Sequence, residues 1–441
     1  MAYGFIPAPY SMLAGAHKLP AGCHLVYDIQ TGSTNIDSYW SYEQQPDSFI
    51  HERPLNEVKE EFYSLLGSAV QKRLGADVPV GCFLSGGLDS STITSLATAQ
   101  AGRDQIQTFN IAFDDASFDE SIHAEKVSRF LNTHHRYETC TMDHARSLLD
   151  EIITGLDEPL GDASLLPTSL VSQIASKSVK VALGGDGADE LLSGYDPFRA
   201  LLPARYYRKA IPMPIHRFIQ KLAGSLTVSH RNMSLDFKIK RTLRGLSYHP
   251  ELWAPVWMAP ISFSDLQILS GQTLDIEDVY SEAIAAWQRG FQAGGWHSAL
   301  TQYYVQLYLQ DNILTKIDRA SMRYGLEVRS PFLDIDVINF IRTLPQSFRF
   351  RNGTSKWLLR QTMKQKVPNF VLQRSKKGFG VPAGKWLKDE TVNIDTSSFP
   401  SSWSHSKVRE LTHLHRSGQK DERASLWNIW ILNKWHRSFT K

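Results

Sequence analysis

The 441-residue chain carries 48 basic and 45 acidic side chains, a formal charge of +3, which is too balanced for a general nucleic-acid binder. A hydrophobic share of 42% with 21% charged residues excludes wholesale disorder, and three cysteines cannot form a disulfide framework and fit a reducing compartment. No run reaches the roughly 18 apolar residues of a membrane helix. The start, MAYGFIPAPYSM, has no basic stretch followed by an apolar one. A cytoplasmic, soluble protein with neither a membrane nor a nucleic-acid partner is expected.

Residues 1–45 are turn-rich, with Pro7, Pro9 and Pro20, and HLVYDI and SYW read as short strands. The segment is too short to bury a core of its own, so it either docks on the rest or is the tail of something larger. From Pro54 the pattern changes. Val58, Phe62, Leu65, Leu66, Ala69, Val70 and Leu74 recur at helical spacing, and VPVGCFL then reads as a buried strand. A helix is predicted from Ser90 to about Ala101, a strand at QTFNIAF and a helix at DESIHAEKVSRFLN with Ile122, Val127, Phe130 and Leu131 apolar. A strand at HHRYETC, a helix at HARSLLDEIITGL and a strand at SVKVALGG follow. Strands alternating with helices imply a parallel sheet covered on both faces. Beyond Gly194 the strand signal fades. The expected fold is therefore α/β to about residue 200 with an α-rich C-terminal half.

The stretch Phe83–Ser91, FLSGGLDSS, lies between a predicted strand and a predicted helix. Gly86 and Gly87 let backbone approach an anion with no Cβ in the way, and the N–H groups of a helix start favour negative charge. Ser85, Ser90 and Ser91 add hydroxyl donors. Asp89 beside phosphates needs a bridging cation, so it reads as a Mg²⁺ ligand. The alternative, a Gly-Ser turn with an N-cap aspartate, is common but does not call for the whole pattern. A second strand runs into GGDGADELLSGY, with Asp186, Asp189 and Glu190 crowded together. Ligands of open parallel sheets sit at the carboxyl ends of strands, so the two loops are expected to share one crevice.

No GK[ST] follows the glycines, so this is not a Walker loop. SGGLDSS resembles the PP-loop of the ATP pyrophosphatases (adenine-nucleotide α-hydrolase-like), which cleave ATP between the α- and β-phosphates. With FNIAF, GDGADELLSGY, LTKIDRASMRYGLEVRSPFLD and RSKKGFGVP in that order, residues 55–435 resemble the synthetase domain of class B asparagine synthetases. GFIPAPYSMLAGAHKLPAGCHLVYDIQTG is similar to the last segment of the glutaminase domain that precedes it in that family. Residues 1–45 are thus expected to be its tail and linker, and 46–441 the synthetase-like domain. The family's glutaminase nucleophile is an N-terminal cysteine; here position 2 is Ala2, and Cys23, Cys82 and Cys140 are internal. The sequence is then a glutaminase-less variant, a split-gene product or a truncated start.

The resemblance implies an ATP-dependent carbon–nitrogen ligase. It would adenylate a carboxylate, that of aspartate first among candidates, and amidate it with ammonia, with a separate glutaminase subunit as a possible partner. The same chemistry on a sugar acid or peptide, or in a β-lactam closure, is the alternative within enzymes. A nucleotide-binding subunit without catalysis is the alternative outside them. By resemblance, Ser85, Gly86, Gly87 and Ser90 cradle pyrophosphate, and Asp89 and Asp189 hold Mg²⁺. Gly184 and Gly185 lie against AMP. Phe83 and Leu84 line the nucleotide side, and Ile111 offers backbone to adenine, with core packing as the alternative for all three. Asp186 stands where the family has a glutamate for adenylation and proton handling, and Lys376 matches a phosphate-contacting lysine. Arg319 and Arg329 either bind substrate carboxylates or tie the halves together; Glu327, His134 and His135 read as structural. The run KIKRTLR (238–244) reads as a solvated helix face.

Overall fold

The computed structural model describes residues 1–45, 53–101, 106–115, 118–226, 228, 234–374, 378, 380–389, 394–400 and 402–439. Near the N-terminus β1 (Cys23–Tyr27) and β2 (Thr34–Ser38) pair antiparallel, Cys23 opposite Ser38. The second strand is TNIDS rather than SYW. Asp28 Oδ1 accepts the N–H groups of Gln30 and Thr31, and Asp28 N–H bonds Ser33. This local turn sets the register and leaves Tyr39 and Trp40 beyond the strand. The segment around the hairpin docks on the rest. Phe5 and Tyr42 are buried, Gly161 N–H donates to Gly4 at 2.7 Å, and Lys18 pairs with Glu158.

Five parallel strands form the central sheet: β3 (Val80–Phe83), β4 (Gln107–Phe113), β5 (His134–Cys140), β6 (Val181–Leu183) and β7 (Glu327–Arg329), in the order β5-β4-β3-β6-β7. Helix α1 (Leu55–Leu74) precedes β3, and α2 (Leu88–Ala101) and α3 (Ser121–Leu131) are the crossovers to β4 and β5. Helices α4 (Met142–Thr154) and α5 (Leu165–Ser176) lead back to β6, on the other side of β3. Alternate strand residues face opposite layers. Ala182 joins the core under α4 and α5, whereas its neighbour Leu183 joins that of α1, α2 and α3. On α3 the row Ala124, Val127 and Leu131 is buried, and Ile122 and Phe130, expected apolar, face outward. Spacings of three and four residues select that row.

The half beyond residue 200 is mostly helical but contributes to the sheet. Its segment Glu327–Arg329 is the edge strand β7, too short to show an alternating pattern. Arg329 donates to the carbonyls of Arg73 and Gly75, tying that edge to the end of α1, and Arg319 forms a two-pronged pair with Asp157 at the exposed rim. His135 Nδ1 lies 2.9 Å from Thr108 Oγ1 on the neighbouring strand, an internal polar contact. The run at 238–244 is not a solvated face throughout. Arg241 and Arg244 turn inward and donate to the carbonyls of Val256, Trp257, Met258 and Ala259, closing the end of a helix. Burial pushes the Arg241 guanidinium down to about 9.

A second hairpin matters more for the site. Strands β8 (Phe350–Arg351) and β9 (Thr354–Ser355) flank Asn352 and Gly353, both with positive φ. This is a two-residue turn whose twist matches the strands it joins, and Asn-Gly is the pair that adopts it at least cost. Gly353→Ala is expected to destabilise the fold by about 1–2 kcal/mol, the cost of a left-handed non-glycine residue. Urea unfolding beside the wild type measures it, and an unchanged midpoint would refute the turn assignment.

Candidate active site

The strand order reverses between β3 and β6, and the loops that leave their carboxyl ends meet there. The β3 loop turns at Gly86, with φ +71°, where an added Cβ would lie 2.5 Å from the carbonyl carbon of His123. Only glycine lets α3 approach this closely. Within the loop, Ser85 N–H donates to Ser90 Oγ at 3.2 Å, Gly87 N–H donates to Ser85 Oγ at 3.3 Å, and the two hydroxyls lie 3.1 Å apart. The hydroxyls thus hold the loop closed around its own backbone. Leu88 then begins α2 and places Asp89 in its first turn.

The β6 loop packs directly on this turn. A Cβ on Gly185 would fall 2.9 Å from both Asp89 Cβ and Ser90 N, and one on Gly184 would fall 2.6 Å from Asp186 Oδ2. The near neighbours of these two glycines are therefore groups of the joined loops and, for Gly184, also Val328 on β7 at 3.5 Å. Gly187, at φ +90°, turns the chain into α6 (Ala188–Leu191), whose first turn carries Asp189 and Glu190. Glu190 is buried and accepts the phenol of Tyr195. Burial and the Glu190 charge hold that phenol well above its ordinary pKa. Tyr195 stacks on Tyr304 at 4.6 Å and meets Tyr308 edge-on, so an aromatic wall stands behind the acidic turn.

Between the two loops stands Lys356. Its Nζ lies 2.5 Å from Asp89 Oδ2 and 2.6 Å from Asp189 Oδ1, and its side chain is 6% exposed. The second hairpin delivers it. Lys356 follows β9 in a left-handed conformation, donates its N–H to Leu192 at 3.0 Å and starts the helix Trp357–Thr362. Burial alone would lower its pKa, but the fields of Asp189 and Asp89 prevail and raise it. The ammonium thus stays charged throughout the neutral range. Arg360, one turn on, feels the same two carboxylates. Gly194 makes room: a Cβ there would sit 1.8 Å from Asp189 Oδ1 and 2.5 Å from Lys356 Cε.

Of the residues expected from sequence, Ser85, Gly86, Gly87, Asp89, Ser90, Gly184, Gly185, Asp186 and Asp189 belong to these two adjoining loops. Phe83 is half-buried at the end of β3, and Leu84 and Ile111 are buried in the two cores. Lys376 lies outside the described residues. On either side of it, Arg374 pairs with Glu120 at 2.5 Å and Lys385 with Asp115, both in the β4–α3 connection. Lys356 Nζ holds Asp89 Oδ2 and Asp189 Oδ1, and the second oxygen of each carboxylate is a hard donor. That suits a divalent ion whose other ligands are phosphate and water. Among the described residues no group of three or more His, Cys, Asp or Glu side chains could hold a metal alone.

The asparagine synthase family matches residues 61–437, most of the chain and both loops. The chain belongs to the asparagine synthase family. A relative from Mycobacterium tuberculosis H37Rv is 30% identical over 450 residues, covering 99% of this chain and 66% of its own. Asparagine synthetase [glutamine-hydrolyzing] 1 of Bacillus subtilis is 28% identical, covering 99% of this chain and 67% of its own. Amidase chry2 of Gibberella zeae is 25% identical over 85% of this chain and 58% of its own. The chain thus spans about two thirds of the length of the curated relatives it matches most fully.

Lys356 and Arg360 escaped the sequence reading, although a signal was there. Asn-Gly between strand-forming residues marks a hairpin, and SKWLLR places the two cations one helical turn apart. Removing the lysine leaves two half-buried carboxylates facing each other. Lys356→Met is expected to lower stability by about 3–5 kcal/mol, and adding Asp189→Asn to recover part of the loss. Denaturant unfolding of the single and double variants measures the coupling, and simple additivity would contradict the triad. Gly194→Ala is expected to lower the melting temperature as well, by driving a methyl group into the Asp189–Lys356 contact.

Proposed function

We propose that the chain is the synthetase part of an ATP-dependent amide-forming ligase that works through an acyl-adenylate. The observation that carries this reading is the convergence of Asp89, Asp189 and Lys356 where the SGGLDSS and GDGADE loops adjoin. A carboxylate oxygen of the substrate attacks the α-phosphorus of ATP, and the bond to the bridging oxygen breaks to release pyrophosphate. Ammonia then attacks the acyl carbon, a proton leaves the nitrogen, and AMP departs with the acyl oxygen. Phosphoryl transfer of this kind asks a protein for positioning and charge stabilisation more than for covalent chemistry.

In this reading Gly86, Gly87, Ser85 and Ser90 hold the β- and γ-phosphates, and Leu84, Phe83 and Ile111 present backbone to the nucleoside. Asp89 and Asp189 would hold Mg²⁺, which supplies Lewis-acid stabilisation of phosphate charge when bound. Lys356, whose Nζ stands between Asp89 Oδ2 and Asp189 Oδ1, is the protein's own cation beside that position, so the ion would draw on the other oxygen of each carboxylate. The lysine keeps Asp89 and Asp189 compensated and faces the phosphates when they arrive. Asp186, beside Gly184 in the second loop, takes the proton from the attacking nitrogen, and Lys376 is assigned a second phosphate contact. Aspartate is the leading acceptor. A relative named as an amidase covers most of this chain, which keeps other carboxylates in play.

ATP–pyrophosphate exchange with a panel of carboxylates tests the reading. Exchange is expected with one class of carboxylate and none without, and absence of exchange with every member would refute adenylation. Asp89→Asn is expected to cut exchange about 100-fold or more while the chain stays folded. Near-normal exchange by that variant would remove Asp89 from the phosphate site. For nitrogen, the residues here cover 66% of the Mycobacterium tuberculosis relative, which is about half as long again, and residues 1–45 resemble only the tail of a glutaminase domain. We therefore expect the purified chain to make amide from ammonium and not from glutamine. A glutaminase-type partner would seat on the β1–β2 hairpin, which is exposed along both strands. Glutamate release by this chain alone, matching amide formation, would overturn that expectation.

A further inference from the structure

Helices α7 (Asp196–Ala210) and α8 (Met213–Gly224) stand apart from the rest of the chain in charge. Residues 197–226 contain Arg199, Arg205, Arg208, Lys209, Arg217 and Lys221 and no acidic residue, although the whole chain carries only +3. Helix α8 is amphipathic, yet it packs by only part of its apolar face. His216 and Ala223 are buried, and His216 bridges Tyr207 Oη at 3.2 Å and Ser247 Oγ at 3.0 Å. The adjoining stripe is open: Phe218 is 62% exposed, Leu222 55% and Ile215 50%. These residues recur at i, i+3 and i+7, so they form one row along the helix. Arg217 and Lys221, also exposed, form a row beside it.

From this arrangement we propose that α8 is a peripheral attachment site for an anionic bilayer surface. A row of large apolar side chains next to a basic row suits the boundary between acyl chains and charged headgroups, with the helix lying in the plane of the membrane. Charge complementarity selects an acidic partner. The apolar row then favours a bilayer over a nucleic acid, because a phosphate backbone satisfies arginine and lysine but offers no apolar phase to cover a row of isoleucine, phenylalanine and leucine. Among the described residues no helix is long and apolar enough to cross a membrane. The expectation of no membrane partner rested on that lack of a spanning segment, and an in-plane helix needs none.

The full chain is to be sedimented with vesicles of phosphatidylcholine alone and of phosphatidylcholine with 30% phosphatidylglycerol. Partition onto the anionic vesicles is expected to be at least about tenfold greater and to weaken in 0.5 M salt. F218E/L222E and R217E/K221E are each expected to lose about tenfold in partition, with melting temperature and ATP–pyrophosphate exchange unchanged, since neither pair touches the active site. Equal partition onto both vesicle types, or wild-type partition by F218E/L222E, would overturn the proposal. So would light scattering that shows a dimer dissolved by F218E/L222E without vesicle binding, or retention of duplex DNA that this variant leaves intact.

Discussion

Two carboxylates from two different loops are held together by one buried ammonium, and much of the surrounding structure follows from accommodating it. Asp89 sits at the start of α2 and Asp189 at the start of α6, each in the first turn of its helix. Brought this close they would repel, and burial would amplify the repulsion. Lys356 removes that penalty but brings its own, because an ammonium taken out of water is costly unless its partners are close and fixed. Gly185, which lets the loops touch, and Gly194, which leaves room for Asp189 and the lysine stem, provide that closeness. The Asn-Gly hairpin and the bond from Lys356 N–H to Leu192 provide the fixity.

The sheet and the helical half are joined through the same contacts. The parallel sheet supplies the switch point between β3 and β6, but its fourth and fifth strands are only three residues long. Lys356 comes from far along the chain. The sheet's edge strand β7 and the compensating cation both come from beyond residue 320. The N-terminal segment docks beside the aromatic wall, where Phe5 meets Tyr308 edge-on and Ala8 N–H donates to Asp311, and Lys18 pairs with Glu158.

The strands and crossover helices read up to residue 183, QTFNIAF and HHRYETC among them, fall where the sequence placed them, but the buried helix α5 between α4 and β6 was not read. The two loops were legible because glycines and carboxylates at strand ends have few other uses. β7 was not, since three residues hold no period, and neither was the role of Lys356. A lysine in a sequence looks like any solvated charge, and only the fold shows that both of its partners lie more than 160 residues upstream. The basic run at 238–244 failed for a related reason. A guanidinium that caps backbone carbonyls is buried by hydrogen bonding, which charge counting does not register.

The central claim concerns which bond of ATP is broken, and the nucleotide products report on it directly. Phosphorus NMR of a reaction holding the chain, ATP, Mg²⁺, ammonium and the accepted carboxylate is the decisive measurement. The account predicts AMP and pyrophosphate in equal amounts, matching the amide formed. Carboxylate-dependent formation of ADP and inorganic phosphate would contradict it.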